Sequence, residues 1–485
     1  MSTAVTDLEP KAIWNHFATL NAVPRPSKKE ERVIAFMVKF GEDLRLSVQK
    51  DAAGNVLIRK PATPGMENRK TVVLQSHLDM VHQKNEGTQF DFDTEGIRMK
   101  VDGDWVRAEG TTLGADNGLG VATIMAILAS EDLKHPAIEA LFTIDEETGM
   151  TGAFELQPGW LKGEILLNLD TEEDDEIGVG CAGGVDVTGT RNYTEKANPG
   201  NTKSYQIKIS GLSGGHSGMN IHKNLGNANK IMNILLQSGV KFKTYVSELE
   251  GGSLRNAIPR ESTAKVAVDF TSGEIWREAL LKKVKDLKEE YKTTDPNFLV
   301  EIEQIEEVST VMDESAQTSL LTCMEELHNG VYKMSDELPD LVETSNNIAK
   351  VTVSKGNIRI ECLTRSSSED GKTELVNTLK AIFEKFNFDV STSGSYPGWS
   401  PNMNSSIVKL LEETYINLFS EKPNVAACHA GLECGIIGQH YPEMDMVSYG
   451  PTIKGAHSPD ERVSISSVQK FWKLTKEVLE NIPEN

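Results

Sequence analysis

The chain has 485 residues, with 50 basic against 72 acidic side chains and a net charge of −22. At roughly 150 residues per domain this length predicts two to four domains with ample core, and the negative balance argues against nucleic acid or an anionic lipid surface as a partner. No apolar run approaches the ~20 residues of a transmembrane helix, acidic Asp7 and Glu9 stand where an export signal carries basic residues, and the five scattered cysteines, Cys181, Cys323, Cys362, Cys428 and Cys434, read as reduced thiols of a cytoplasmic protein.

Ile13, Trp14, Phe17 and Leu20 fall at helical spacing and predict a first helix, followed by a loop broken at Pro24 and Pro26. Ser27 with Glu30 and Glu31, ahead of Val33, Ile34, Phe36 and Met37, reads as the capped start of a second helix. Short apolar runs at 55–58 and 72–74 predict buried strands. The pattern then alternates: helix 118–129, strand 140–144, helix 152–156, strand 165–169. Such alternation predicts a mostly parallel sheet covered by helices on both faces. From 185 to 393 the texture changes to amphipathic strands at 205–209, 264–270, 348–353 and 357–363 and charged helices at 276–291 and 374–386, which predicts a separate α+β domain without an evident sequence repeat. An apolar strand at 446–449 and a helix at 466–482 return to the first pattern. The expected organisation is an α/β domain built from residues 1–184 and 394–485, with 185–393 inserted into it.

The strand at 72–74 runs directly into His77-Leu78-Asp79. Residues two apart in extended chain point the same way, so Asp79 can orient His77 as a carboxylate orients a metal-bound imidazole. Asp116 sits in the glycine-rich turn Gly110–Gly118 before an apolar helix, where, read alone, it is a helix N-cap. Two more strands end in acids, one at Asp145-Glu146-Glu147 and one at Asp170, and His457 follows the last strand. Ligand sites of open α/β sheets lie beyond the carboxyl ends of the strands, so these distant residues can converge there. Two histidines and at least three carboxylates suit zinc, cobalt or manganese. Five protein ligands around one metal leave no open position, whereas two metals sharing a carboxylate do. Adjacent Glu146 and Glu147 fit if one ligates and the other stays free as a general base; read alone they are a solvated acidic turn. The Gly178–Gly184 run is not followed by the helix start that holds phosphate in a dinucleotide site.

Taken together, the strings Ser76–Val81, Gly110–Gly118, Glu146–Met150, Asn168–Asp170, Gly180–Gly184, Gly214–Gly218, Leu254–Arg260, His429–Gly435 and Pro442–Met446 resemble the dinuclear metallopeptidase family that includes carnosinase, the tripeptide aminopeptidases and the aminoacylases. The resemblance runs closest to the family's dipeptidases and spans nearly the whole chain. It implies a zinc-peptidase-like catalytic domain and an inserted lid and dimerisation domain. It further implies two divalent cations per subunit, zinc first with cobalt or manganese as alternatives. Asp116 would bridge them, with His77 and Asp170 completing one site and Glu147 and His457 the other. Asp79 would support His77, and Glu146 would take a proton from the bridging water and return it to the leaving amine. His216 would be an oxyanion donor, often supplied by a partner subunit in similar enzymes, so a homodimer is implied. Asn256, Arg365 and the backbone at Gly431 would bind substrate. Glu433 stays open between a ligand for the substrate's α-amine and a structural salt bridge. The implied activity is metal-dependent hydrolysis of unblocked dipeptides of broad specificity, Xaa-His among them. An aminoacylase or tripeptidase on the same scaffold is the alternative, and a catalytically silent binding protein is disfavoured by the intact motifs.

Overall fold

The computed structural model describes residues 4–336, 341–402 and 404–485. The chain divides into two compact units. The first comprises the chain up to Gly180 with Trp399–Ala427 and Leu432–Asn485, and the second comprises Cys181–Gly398 with the short segment Cys428–Gly431.

In the first unit an eight-stranded sheet runs in the spatial order Ser47–Lys50, Val56–Lys60, Ile138–Thr143, Val72–His77, Ile165–Asn168, Asp445–Ser448, Glu176–Cys181, Asn424–Cys428. The four strands from Ile138–Thr143 to Asp445–Ser448 are mutually parallel, whereas Val56–Lys60 and Glu176–Cys181 pair antiparallel at their flanks. The parallel run therefore occupies the centre of a mixed sheet. Every residue of Val72–His77 and Ile138–Thr143 is buried, as both faces must be when helices cover a parallel sheet. This is why these strands read as continuous apolar runs rather than alternating ones.

The Ala115–Ala129 helix, apolar almost all round, is buried along nearly its whole length. It packs against the Val72–His77 strand and the Lys11–Asn21 helix, sharing a core with Trp14, Phe17, Ile465 and Val468. Truncating Leu74, fully buried at the middle of the central strand, is expected to cost about 2–5 kcal/mol. A urea titration of Leu74→Ala checks this through a lower midpoint at unchanged slope.

The second helix begins at Glu31, and its N-cap Glu30 makes no side-chain cap bond, so the expected Ser27 capping box is not formed. Ser27 instead donates to the Asp79 carboxylate at 2.8 Å. The same four parallel strands place His77, Thr143, Asn168 and Ser448 at one end of the sheet, and the chain leaves them toward the acidic turns.

The second unit is built on a nine-stranded antiparallel sheet. Its central strands are Thr202–Ser210, Ser262–Asp269, Thr244–Gly251, Val342–Ser354, Asn357–Ser366 and Gly183–Asn192. Helices Ala228–Gly239, Gly273–Glu290, Glu314–Glu326 and Glu369–Lys385 contribute to its core, with Trp276, Leu280 and Phe383 at its centre. The α+β character expected of this part of the sequence is present. Among the described residues no helix is long and apolar enough to cross a membrane.

Candidate active site

His77, the last residue of its strand, is 1% exposed. Its Nδ1 lies 3.3 Å from Asp79 Oδ1 and 3.2 Å from the Asp79 carbonyl. That leaves Nε2 facing Asp116 Oδ1 at 3.2 Å and Asp170 Oδ1 at 3.6 Å. Asp79 does more than face the ring: its buried carboxylate accepts the backbone N–H groups of Glu146 at 3.0 Å and Glu147 at 3.3 Å. One side chain thus fixes the histidine and the acidic turn together.

Asp116 is not a helix cap. The N-cap of its helix is Gly114 at φ 68°, and Asp116 itself has non-helical backbone angles. Its Oδ1 faces His77, and its Oδ2 lies 3.2 Å from His457 Nε2. His457 Nε2 is in turn 3.0 Å from Glu147 Oε2. The result is two clusters, His77–Asp116–Asp170 and Asp116–Glu147–His457, that share Asp116. Glu146 Oε2 stands 4.0 Å from His77 Nε2, and His77 also groups with Glu146 and Glu147. Asn117 donates to Asp170 and to the Leu169 carbonyl, which sets the rotamer of Asp170.

The electrostatics follow from crowding. Burial opposes the Asp116 charge, yet hydrogen bonds from His457 and His77 hold its carboxyl far below the usual range. His457 is pushed up to about 11, chiefly by its contacts with Asp116 and Glu147. Burial disfavours a charged His77, but Asp170, Asp116 and Asp79 together raise its pKa well above the ordinary value. Burial also lifts Glu147 and Asp170, and Glu172 is pushed up to about 8 by burial and by Asp116. Glu146 is held well above the ordinary range by burial and the neighbouring charges of Asp170, Glu147 and Glu433.

A buried set with more carboxylates than local cations calls for added positive charge. Donors about 2.1 Å from a shared tetrahedral ion stand about 3.4 Å apart, and the histidine–carboxylate separations within the two clusters run from 3.0 to 3.6 Å. Imidazole with carboxylate is also the donor chemistry of zinc, cobalt and manganese sites. The residues therefore fit divalent cations.

His216, Asn256, Arg365 and Gly431 belong to the second unit. Gly215–His216 pairs with Ala257–Ile258, and the Ser217 N–H donates to the Asn256 carbonyl at 2.8 Å, so His216 and Asn256 lie on adjoining backbone. His216 Nδ1 accepts the N–H groups of Gly218 and Met219 at 3.2 and 3.1 Å, which leaves the ring proton on Nε2. Arg365 is 5% exposed; its guanidinium donates to the Tyr396 hydroxyl at 2.8 Å and stands 3.5 Å from His216 Nε2. Its hydrogen-bond partners among the described residues, Ser217, Tyr396 and His216, include no carboxylate. Gly431 ends the segment in which His429 Nε2 meets Ser345 Oγ at 2.8 Å. A Cβ at Gly218 would collide with the His429 carbonyl, so this segment runs against the His216 loop. The Asn256 side chain is exposed.

Glu433, in the first unit, is fully buried. Its Oε2 accepts from Gln75 and Thr143, each at 2.6 Å, while Oε1 has no partner, and among the described residues it makes no salt bridge. Burial pushes its carboxyl up to about 7.

The chain belongs to peptidase family M20/M25/M40, whose model matches residues 73–481. It is thus a peptide hydrolase of a metallopeptidase family, and membership implies divalent metal ions. It is 42% identical over 480 residues, 99% of each chain, to the cytosol non-specific dipeptidase of Escherichia coli (strain K12). Among solved structures it matches an aminoacylhistidine dipeptidase from Vibrio alginolyticus at 43% identity and a TM-score of 0.91, covering 100% of this chain and 99% of that one. An aminopeptidase from Bacillus cereus, 16% identical at a TM-score of 0.58 and covering 98% of this chain and 99% of that one, shares the fold. The dipeptidase relatives agree with the family resemblance carried by the sequence motifs.

Proposed function

We propose that this chain is a dinuclear metallo-dipeptidase that hydrolyses unblocked dipeptides of broad specificity, Xaa-His among them, in the cytoplasm. The observation that carries the reading is Asp116, whose two oxygens each face a different histidine at 3.2 Å. The dipeptidase names of the Escherichia coli and Vibrio alginolyticus relatives support the substrate class.

When bound, a pair of divalent cations polarises the scissile carbonyl and acidifies water. Zinc is the first candidate and cobalt or manganese the alternatives. His77 and Asp170 would hold one cation, Glu147 and His457 the other, and Asp116 both. Asp79 orients His77 and pins the Glu146–Glu147 backbone. Glu146, beside the two clusters at 4.0 Å from His77 Nε2, takes a proton from the attacking water as the C–O bond forms. It returns that proton to the amine nitrogen as the C–N bond breaks. His216 Nε2–H is the donor for the developing oxyanion. Arg365, which makes no ion pair among the described residues, clamps the dipeptide's carboxylate, and Asn256 and the Gly431 backbone contact the peptide. The 185–393 segment would serve as a lid and homodimerisation domain, as the family resemblance implies.

Recognition of the free amine falls to Glu433, a buried carboxylate with one oxygen unpartnered. N-acetylation of Ala-His is expected to lower kcat/KM by about 10³-fold or more, because a buried carboxylate left without its cation rejects the blocked analogue. Equal turnover of N-acetyl-Met would move the reading to an aminoacylase, and preference for Gly-Gly-Ala would move it to a tripeptidase.

A further inference from the structure

We propose that Glu461 is a positioning residue that locks the Asp116 turn to the His457 loop, with Arg25 bracing the same turn from the other side. Glu461 is 2% exposed. Its Oε2 accepts the N–H groups of Leu113 at 2.6 Å and Gly114 at 2.9 Å, and its Oε1 those of Ala115 at 2.7 Å and Asp116 at 3.3 Å. These amides open the Ala115–Ala129 helix, whose own N-cap residue supplies no side chain to meet them. A carboxylate at that end also complements the helix dipole.

Arg25 is equally buried. It donates through Nη2 to the Gly114 carbonyl at 2.6 Å and through Nη1 to the carbonyls of Leu78 at 3.1 Å and Asp79 at 3.0 Å. Gly114 is thus gripped at its N–H by Glu461 and at its C=O by Arg25. A Cβ there would lie 2.6 Å from Arg25 Nη2, so glycine at positive φ admits the approach. Arg25 joins the exit of the His77 strand to the Asp116 turn, and Glu461 joins the His457 loop to the same turn.

With the N–H groups of Leu113, Gly114, Ala115 and Asp116 all held by Glu461, the turn is fixed and the Asp116 carboxylate faces the two histidines. Glu461 follows His457 by four residues, and its own N–H bonds the Ser458 carbonyl at 3.0 Å, so the loop that carries His457 is tied through a tight turn to the backbone of Asp116. The cation ligands are thereby pre-organised by buried partners that are not ligands themselves.

The inference rests on the metal-site reading only in taking Asp116 and His457 as ligands. The test is a Zn²⁺ competition titration against a chromophoric chelator on full-length wild type, Glu461→Gln, Glu461→Asp and Arg25→Lys, with circular dichroism as the check of fold. Glu461→Gln turns an amide NH₂ toward backbone N–H groups, and its Zn²⁺ affinity is expected to fall about 10- to 100-fold, Glu461→Asp keeping part of it and Arg25→Lys falling in the same direction. At saturating Zn²⁺ the kcat on Ala-His of these variants returns to near the wild-type value. Wild-type Zn²⁺ affinity in folded Glu461→Gln overturns the proposal; if that variant does not fold, wild-type affinity in both Glu461→Asp and Arg25→Lys does so. A kcat that stays low at saturating Zn²⁺ also overturns it, since the residue would then act on the chemistry. Absence of Zn²⁺ binding by the wild type would instead remove the metal-site reading itself.

Discussion

Glu146→Gln is expected to bind its cations as the wild type does and to lose about 10²- to 10⁴-fold in kcat, the usual worth of a positioned general acid–base group. The expectation follows from where Glu146 lies. Its carboxylate is 4.0 Å from the His77 nitrogen, beside the shared cluster but outside the two triads centred on Asp116, and Asp79 holds its backbone N–H at 3.0 Å. The isosteric amide keeps the packing and cannot accept the proton. Cation content by elemental analysis and single-turnover hydrolysis of Ala-His separate the two effects. A variant with near-native kcat would show that another group moves the proton.

Asp116→Ala is expected to act one step earlier, on occupancy itself. Because Asp116 offers one oxygen to each cluster, its removal takes a ligand from both, and the loss in cation affinity should exceed the 10- to 100-fold typical of a supporting residue. Thermal unfolding gives an independent readout. Ligand that binds only the folded state stabilises by RT ln(1 + [L]/Kd), about 2.7 kcal/mol at a hundredfold excess over Kd. Added Zn²⁺ should therefore raise the wild-type midpoint and leave that of Asp116→Ala nearly unchanged. Asp170→Ala, which strips one cluster alone, should retain part of the shift.

The contrast between what the sequence disclosed and what it hid has a physical basis. His77, Asp116, Glu147 and Asp170 were legible because each follows or precedes a strongly apolar element, and the parallel order of Ile138–Thr143, Val72–His77 and Ile165–Asn168 gathers their exits at one end of the sheet. Apolar elements such as Ile138–Thr143 and Ile165–Asn168 were legible for the same reason, whereas Ala228–Gly239, Thr244–Gly251, Glu314–Glu326 and Ser406–Phe419 were not anticipated. Ser27 misled because a serine followed by glutamates looks like a capping box whether or not its hydroxyl serves the next helix; here it serves Asp79. Asp116 offered the same local ambiguity, and its backbone N–H is held by a carboxylate 345 residues away. Arg25 lay hidden between two prolines that read only as a loop. Gln75 and Thr143, which hold Glu433, were likewise invisible as site residues, since a polar residue inside a buried strand declares no partner until the fold supplies one.

The central claim is that hydrolysis depends on a pair of cations held through Asp116. The most direct test is to strip the full-length protein with a chelator and titrate Zn²⁺ back while following both bound metal and Ala-His hydrolysis. Loss of activity on stripping, and its return as two equivalents per chain bind, is the predicted result. Hydrolysis that persists in the stripped protein, or that returns fully with a single equivalent, would contradict the account.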